Sequence, residues 1–266
     1  MFRRYNKKLH ETNKHVLRVY FTLRILVLIT MITQILEKNY SNAALCLATL
    51  LMYTVPTIVK DRLKITLPST LEIIIYCMIF AGEILGEVNN FFKLIPYWDT
   101  ILHTIDGFLF AGVGFSLVDL LNNNSNDFNL SPIYITIVAF CFSMTLGIIW
   151  EFFEFSMDRY FNLDMQKDRI VQTISSVKIN PTGENVPIIV KDIEKTEIIS
   201  KEGKTIIEGG YLELGIIDTM KDLFVNLIGA LTFSIIGYIA LINRNTRKFA
   251  TNFIPSRYNE NLQINK

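Results

Sequence analysis

Three stretches of this chain, 41–59, 132–150 and 223–243, run for 19, 19 and 21 residues without one charged side chain. That is the length at which an α-helix crosses the hydrocarbon core of a bilayer. Inside hydrocarbon each backbone N–H and C=O must be satisfied within the segment, so such runs fold as helices. Further apolar runs bring the expected spans to six, over roughly 16–36, 41–59, 69–87, 98–120, 132–157 and 218–243. The first follows about 15 polar, basic residues and is long enough to stay as an anchor. The expected fold class is an all-α membrane protein. Residues 1–157 and 218–243 form a six-helix transmembrane bundle, 158–217 an extracytoplasmic β-rich cap, and 244–266 a cytoplasmic tail.

Lys and Arg set the orientation, because cytoplasmic loops carry the excess. Arg3, Arg4, Lys7, Lys8, Lys14 and Arg18 precede or open the first span. Lys60, Arg62 and Lys64 lie between the second and third, and Arg244, Arg247 and Lys248 follow the last. All fall on one side if both termini are cytoplasmic, and the opposite short loops then carry only Lys38 and Lys93. Arg24 sits deeper in the first span, about 9 Å above Arg18, and is expected to snorkel or face protein. Abundant Ile, Asn and Lys point to AT-rich coding, and so to a bacterial plasma membrane. A net charge of +1 gives no basic excess for nucleic acid, so the lipid bilayer is the expected partner. Cys46, Cys77 and Cys141 all lie inside apolar stretches and read as packing residues.

The long loop is not a plain linker. Segments 170–179, 187–190 and 196–208 are rich in Val, Ile and Thr. Asn180-Pro181-Thr182-Gly183 and Lys201-Glu202-Gly203-Lys204 separate them as turn signals. A small hairpin or meander is expected, too small to fold well alone. Asn122 to Asn126 reads as a polar cytoplasmic turn.

Once orientation is set, the acidic residues collect at one depth. Glu83 and Glu87 end span three, and Asp99, His103 and Asp106 open span four. Glu151, Glu154 and Asp158 end span five, and Asp218 and Asp222 open span six. The spacings are i, i+3, i+4 and i+7, so each set shares one helix face, and Asn226 continues the last stripe one turn deeper. Polar faces on apolar spans should point into the bundle. Carboxylates gathered in low dielectric must be protonated, paired with cations or bound to metal. Oxygen ligands with one imidazole suit Mg²⁺, Mn²⁺, Zn²⁺ or Fe²⁺. The metal reading takes Asp99, His103, Glu151, Glu154, Asp218 and Asp222 as ligands. Glu83, Glu87, Asp106, Asp158 and Asn226 are then supporting or alternative ligands. Three other readings stay open: a salt-bridge network with Lys93, Arg159, Lys221 and loop lysines, a water-filled vestibule with ordinary interfacial acids, or a proton or cation path. Trp98 and Trp150 read as interfacial anchors. Gly107, Ala111 and Gly114, with Gly82 and Gly86, read as close-packing positions. Phe152, Phe153 and Phe155 read as lipid contacts.

Three motifs in order carry a resemblance. They are Tyr97-Trp98-Asp99-x-x-Leu102-His103-x-x-x-Gly107, Trp150-Glu151-x-x-Glu154, and Asp218-x-x-Lys221-Asp222 with Gly229-Ala230. Over roughly 95–240 the chain resembles the YjdF-like family of bacterial inner-membrane proteins. The resemblance implies a multi-span membrane protein with these acids as its signature, and it supplies no substrate. The long insertion departs from the family's compact pattern.

The leading functional expectation is a divalent-metal membrane hydrolase acting on a lipid or polyprenyl-phosphate-like substrate. Arg159, Arg169 and Lys221 would meet the phosphate, although no phosphate-binding Gly-rich loop is visible. The alternatives are a cation or proton transporter, or a non-catalytic sensor or scaffold. A transporter needs a polar route inward, and between the acids and Glu72 or Asp119 only Ser116, Ser143 and Thr145 are polar steps.

Overall fold

The computed structural model describes residues 14–63, 65–124, 129–242 and 256–257. Arg3, Arg4, Lys7, Lys8, Lys64, Ser125, Asn126, Arg244, Arg247 and Lys248 lie outside the described residues, as does nearly all of the tail. Among the described residues, five helical runs are long and apolar enough to cross a membrane: Lys14–Leu36, Tyr40–Arg62, Trp98–Asp119, Pro132–Phe161 and Ile216–Ile242.

The first run is helix α1 (Lys14–Leu36). It exposes Phe21, Ile25, Leu28 and Ile32, as a helix facing lipid does. Lys38 then takes a left-handed φ of 61° and turns the chain. The second run comprises α2 (Tyr40–Met52) and α3 (Val55–Leu63), divided at Tyr53 and Thr54. Pro56 explains the break, because it has no N–H to return to the carbonyl of Met52. Strand β1 (Ile65–Thr66) follows and pairs antiparallel with β8 (Ser256–Arg257).

The expected span 69–87 forms two helical segments, α4 (Ser69–Ile79) and a π-helix (Phe80–Val88). Short α5 (Phe91–Leu94) leads into α6 (Trp98–Asn124), then α7 (Pro132–Phe161) and α8 (Ile216–Ile242). Asn122, Asn123 and Asn124, expected as part of a turn, instead continue α6, and the Asn122 side chain accepts the N–H of Leu130 at 2.6 Å.

Two compact units divide the chain. The first runs to Gly147 and resumes at Leu223. In it α6 and α8 run parallel. Gly107 meets Asn226, Gly112 meets Phe233, and Phe115 meets Gly237. A Cβ built on Gly107 would lie 2.2 Å from the Asn226 carbonyl oxygen, and one on Gly229 only 2.0 Å from that of Thr104. No side chain fits there, so glycine sets the helix spacing. Gly114 is tight against Phe142 and Gly86 against Phe92, but Gly82 has open space, so close packing does not explain it. The core below joins Ala111, Phe115, Ile135, Ala139, Ala230 and Phe233.

The second unit, Ile148–Asp222, holds the end of α7, the β-rich insertion and the first turns of α8. Its strands are β2 (Arg169–Val171), β3 (Ile174–Ser176), β4 (Ile188–Val190), β5 (Lys195–Ser200), β6 (Gly203–Glu208) and β7 (Tyr211–Glu213). They pair antiparallel as β2–β7, β3–β4 and β5–β6. The 170–179 segment therefore serves two sheets, because β2 finds its partner some forty residues on, at Tyr211–Glu213.

Candidate functional site

In the first unit, α6 opens with the i, i+4, i+7 face. Asp99 Oδ1 stands 3.3 Å from His103 Nε2, with both side chains largely sheltered. Asp106, one turn deeper, also interacts electrostatically with His103. One imidazole thus lies between two carboxylates. That arrangement orients the ring, as carboxylates do for imidazoles that bind metal. Just below, Ser143 donates to the Gly107 carbonyl at 2.7 Å. Asn226 is buried and fills the space against Gly147.

Glu83 and Glu87 lie in the π-helix, a wide-turn form that recurs at functional sites. They interact electrostatically with each other. Trp98, read as a belt anchor, donates its indole N–H to the Ala81 carbonyl at 3.2 Å. It therefore joins the start of α6 to the π-helix.

In the second unit Glu151, Glu154, Asp218 and Asp222 are all buried. Trp150 lies on α7 and donates its indole N–H to Glu154 at 2.9 Å. That is a partner role the anchor reading missed, although the i, i+4 spacing could have indicated it. Phe152, Phe153 and Phe155 are exposed, which fits lipid contact.

The chain leaves α7 through Asn162, in a left-handed conformation, and folds back onto the acids. Asp158 accepts the backbone N–H groups of Met165 at 2.6 Å and Gln166 at 2.8 Å. Asp218 accepts from the N–H of Lys167 at 3.1 Å and from Arg169 at 2.8 Å. Lys221 stands 3.9 Å from Asp218 and 3.4 Å from Asp222. Gln166 donates to the Thr219 hydroxyl, and Glu213 caps the start of α8 by accepting from Ile216 at 2.8 Å. Sequence spacing singled out neither Gln166 nor Glu213, because their partners are set by the fold of the loop. Arg159 is exposed. Burial, and then the charges of Asp164, Asp158 and Glu213, hold the exposed-loop Asp168 above the ordinary carboxylate range.

The sequence-expected residues thus sort by what engages them. Asp158 and Asp218 hold the loop, and Arg169 and Lys221 neutralise Asp218. Asp99 and His103 make a pair of ligand type.

Residues 18–243 match the family described as "Predicted membrane protein (DUF2238)". The chain belongs to this family. The several long apolar helices of this chain agree with the family's description as a membrane protein and with a multi-pass location. The chain is also similar to a Thermotoga maritima protein described as "Uncharacterized protein", 25% identical over 93 residues. The match covers 35% of this chain and 46% of that protein, so it spans less than half of the relative. No solved structure matches.

Proposed function

We propose that this protein is a six-span, divalent-cation-dependent membrane hydrolase of phosphorylated lipids, with its site at the outer ends of the helices. Asp99 and His103, paired on one helix, are its first ligands, and the acidic pattern of the sequence adds Asp222 to the proposed set. Glu151 and Glu154 stand as further ligands or as the general base. A bound divalent ion would supply an activated water and a counter-charge for phosphate oxygens. Arg169 and Lys221, which pair with Asp218, would exchange part of that pairing to hold the remaining phosphate charge. The observation that carries the reading is the Asp99–His103 pair on a membrane helix that opens with the i, i+4, i+7 acidic face.

The pairing of β1 with β8 supports the sixth span. Residues 65–66 and 256–257 are hydrogen-bonded, so they share one side of the membrane. An even number of crossings must then separate them. Three of the long apolar helices do so, and 69–88 provides the fourth. The motifs that resemble the YjdF-like family support a place near that branch, with the inner membrane and cytoplasmic termini as part of the same proposal.

One observation favours a second reading. Asp218 and Asp158 are used by the loop, as in a scaffold whose acids only fasten the insertion. Elemental analysis of the detergent-purified protein separates the two, with His103→Gln, Asp222→Asn and Glu151→Gln alongside. Stoichiometric divalent metal in the wild type, lost in the variants while the fold persists, is the expected result. Phosphate release from a polyprenyl diphosphate should be lost with it. Wild-type protein that holds no metal after Mg²⁺, Mn²⁺ and Zn²⁺ are supplied overturns the proposal.

A further inference from the structure

A second polar constellation lies apart from these acids, among α1 to α4. Arg24 is half-buried on α1, ten residues and about 15 Å along the helix from Lys14. Guanidinium keeps its charge at any depth, and intramembrane cations pair with carboxylates or carbonyls. Here Arg24 Nη1 donates instead to the Tyr20 hydroxyl, one turn back toward the start of α1. Its guanidinium carbon stands 5.2 Å from the Tyr20 ring centre. The carboxylate of this region, Glu72, is held by Lys60 at 2.6 Å and by the Tyr76 hydroxyl at 3.2 Å. One positive charge is therefore in excess over Arg24, Lys60 and Glu72.

The three rings of Tyr20, Tyr53 and Tyr76 meet with centres 5.1 to 6.2 Å apart. Tyr53 is fully buried, and its hydroxyl has no hydrogen-bond partner among the described residues. It interacts electrostatically with Arg24. The buried Tyr53 hydroxyl has no acceptor among the described residues and the Arg24 guanidinium is given only the neutral Tyr20 oxygen, so one oxyanion would serve both. Phe21, Ile25 and Leu28 flank Arg24 on the exposed side of α1, where acyl chains would lie.

We infer that Arg24, with Tyr20 and Tyr53, forms a binding site for a phosphate oxyanion, and the lipid-facing surroundings favour the head group of an anionic lipid. Arginine meets phosphate with two parallel N–H donors. Its bond to Tyr20 is local to one helix and is exchanged for the phosphate, and Tyr53 then donates its spare O–H.

The test is thermal unfolding of the full chain in detergent, titrated with phosphatidylglycerol, phosphatidylcholine or inorganic phosphate. Phosphatidylglycerol should raise Tm where phosphatidylcholine does not. Arg24→Gln should weaken the apparent affinity at least about tenfold, and Tyr53→Phe, which keeps the packing, by several-fold. Arg24→Lys keeps the charge for folding and should retain part of the response. The double variant Lys14→Gln/Arg18→Gln should keep the selectivity. A response to inorganic phosphate alone, lost in Arg24→Gln, supports the oxyanion site and assigns its occupant to solution. The site is overturned if the two lipids act alike and phosphate has no effect. It is also overturned if Arg24→Gln and Arg24→Lys respond as the wild type does, or if selectivity follows Lys14 and Arg18.

Discussion

Gly229→Ala tests how α6 and α8 are held. The added carbon would stand 2.0 Å from the Thr104 carbonyl oxygen and 2.9 Å from the Phe108 nitrogen. Ordinary contact begins at 3.4 Å, so one backbone must retreat by about 1.4 Å. Overpacking costs about 1–3 kcal/mol, and the upper end applies because both opposing atoms are main chain with no rotamer to yield. Alanine recovers up to about 1 kcal/mol of helix propensity. The net loss is about 2 kcal/mol, roughly a thirtyfold change in the folded-to-unfolded ratio. Gly147→Ala meets the side-chain amide of Asn226 at 2.6 Å, which can rotate, so about 1 kcal/mol is expected. Gly82→Ala meets nothing within 4 Å and should stay within about 0.5 kcal/mol of wild type. Equilibrium unfolding in mixed dodecyl sulfate and maltoside micelles gives all three on one scale. If Gly229→Ala is as stable as wild type, or Gly82→Ala loses as much as Gly229→Ala, the backbone contact does not set this spacing.

Lys60→Met leaves the buried Glu72 carboxylate without its ammonium partner and should cost about 3 kcal/mol in the same assay, with much of it recovered in Lys60→Met/Glu72→Leu. Asp158→Ala removes the acceptor of two backbone N–H groups, so amides at 165 and 166 should exchange faster while the β5–β6 hairpin keeps its protection. Asp168 is held above its ordinary range, so its contribution to loop stability is greatest below the unfolded value and is lost as pH rises through the folded one. Proteolysis of the 162–168 loop should therefore slow as pH falls through that interval, and Asp168→Asn should flatten the dependence; a loop cut faster in acid refutes the assignment.

The long apolar helices were legible because lipid demands an unbroken run, and a run is a local property. The Asp99–His103 pair was legible for the same reason, since i, i+4 spacing on one helix brings the groups within reach. The β5–β6 hairpin followed from its turn residues. What the sequence hid was non-local or a change of helical form. Glu72 reads as a lone inner-end acid until the fold brings Lys60 beside it, twelve residues earlier. The π-helix gives no compositional warning, and glycines at 82 and 86 read equally well as packing notches. Asp218 looks like a ligand by position, yet the loop supplies it with an N–H and a guanidinium.

The seam beneath Asp99 and His103 carries a consequence for traffic. Gly107 lies against the Asn226 carbonyl, Ser143 ties the same turn, and farther in Phe233 stacks edge-on against both Phe108 and Phe115. Helices that touch backbone to backbone leave no bore between them, and the rings of Phe108, Phe115 and Phe233 fill the layer below. The inner side of the Asp99–His103 pair is therefore backed by main chain along this seam, so a ligand held there meets a wall between α6 and α8.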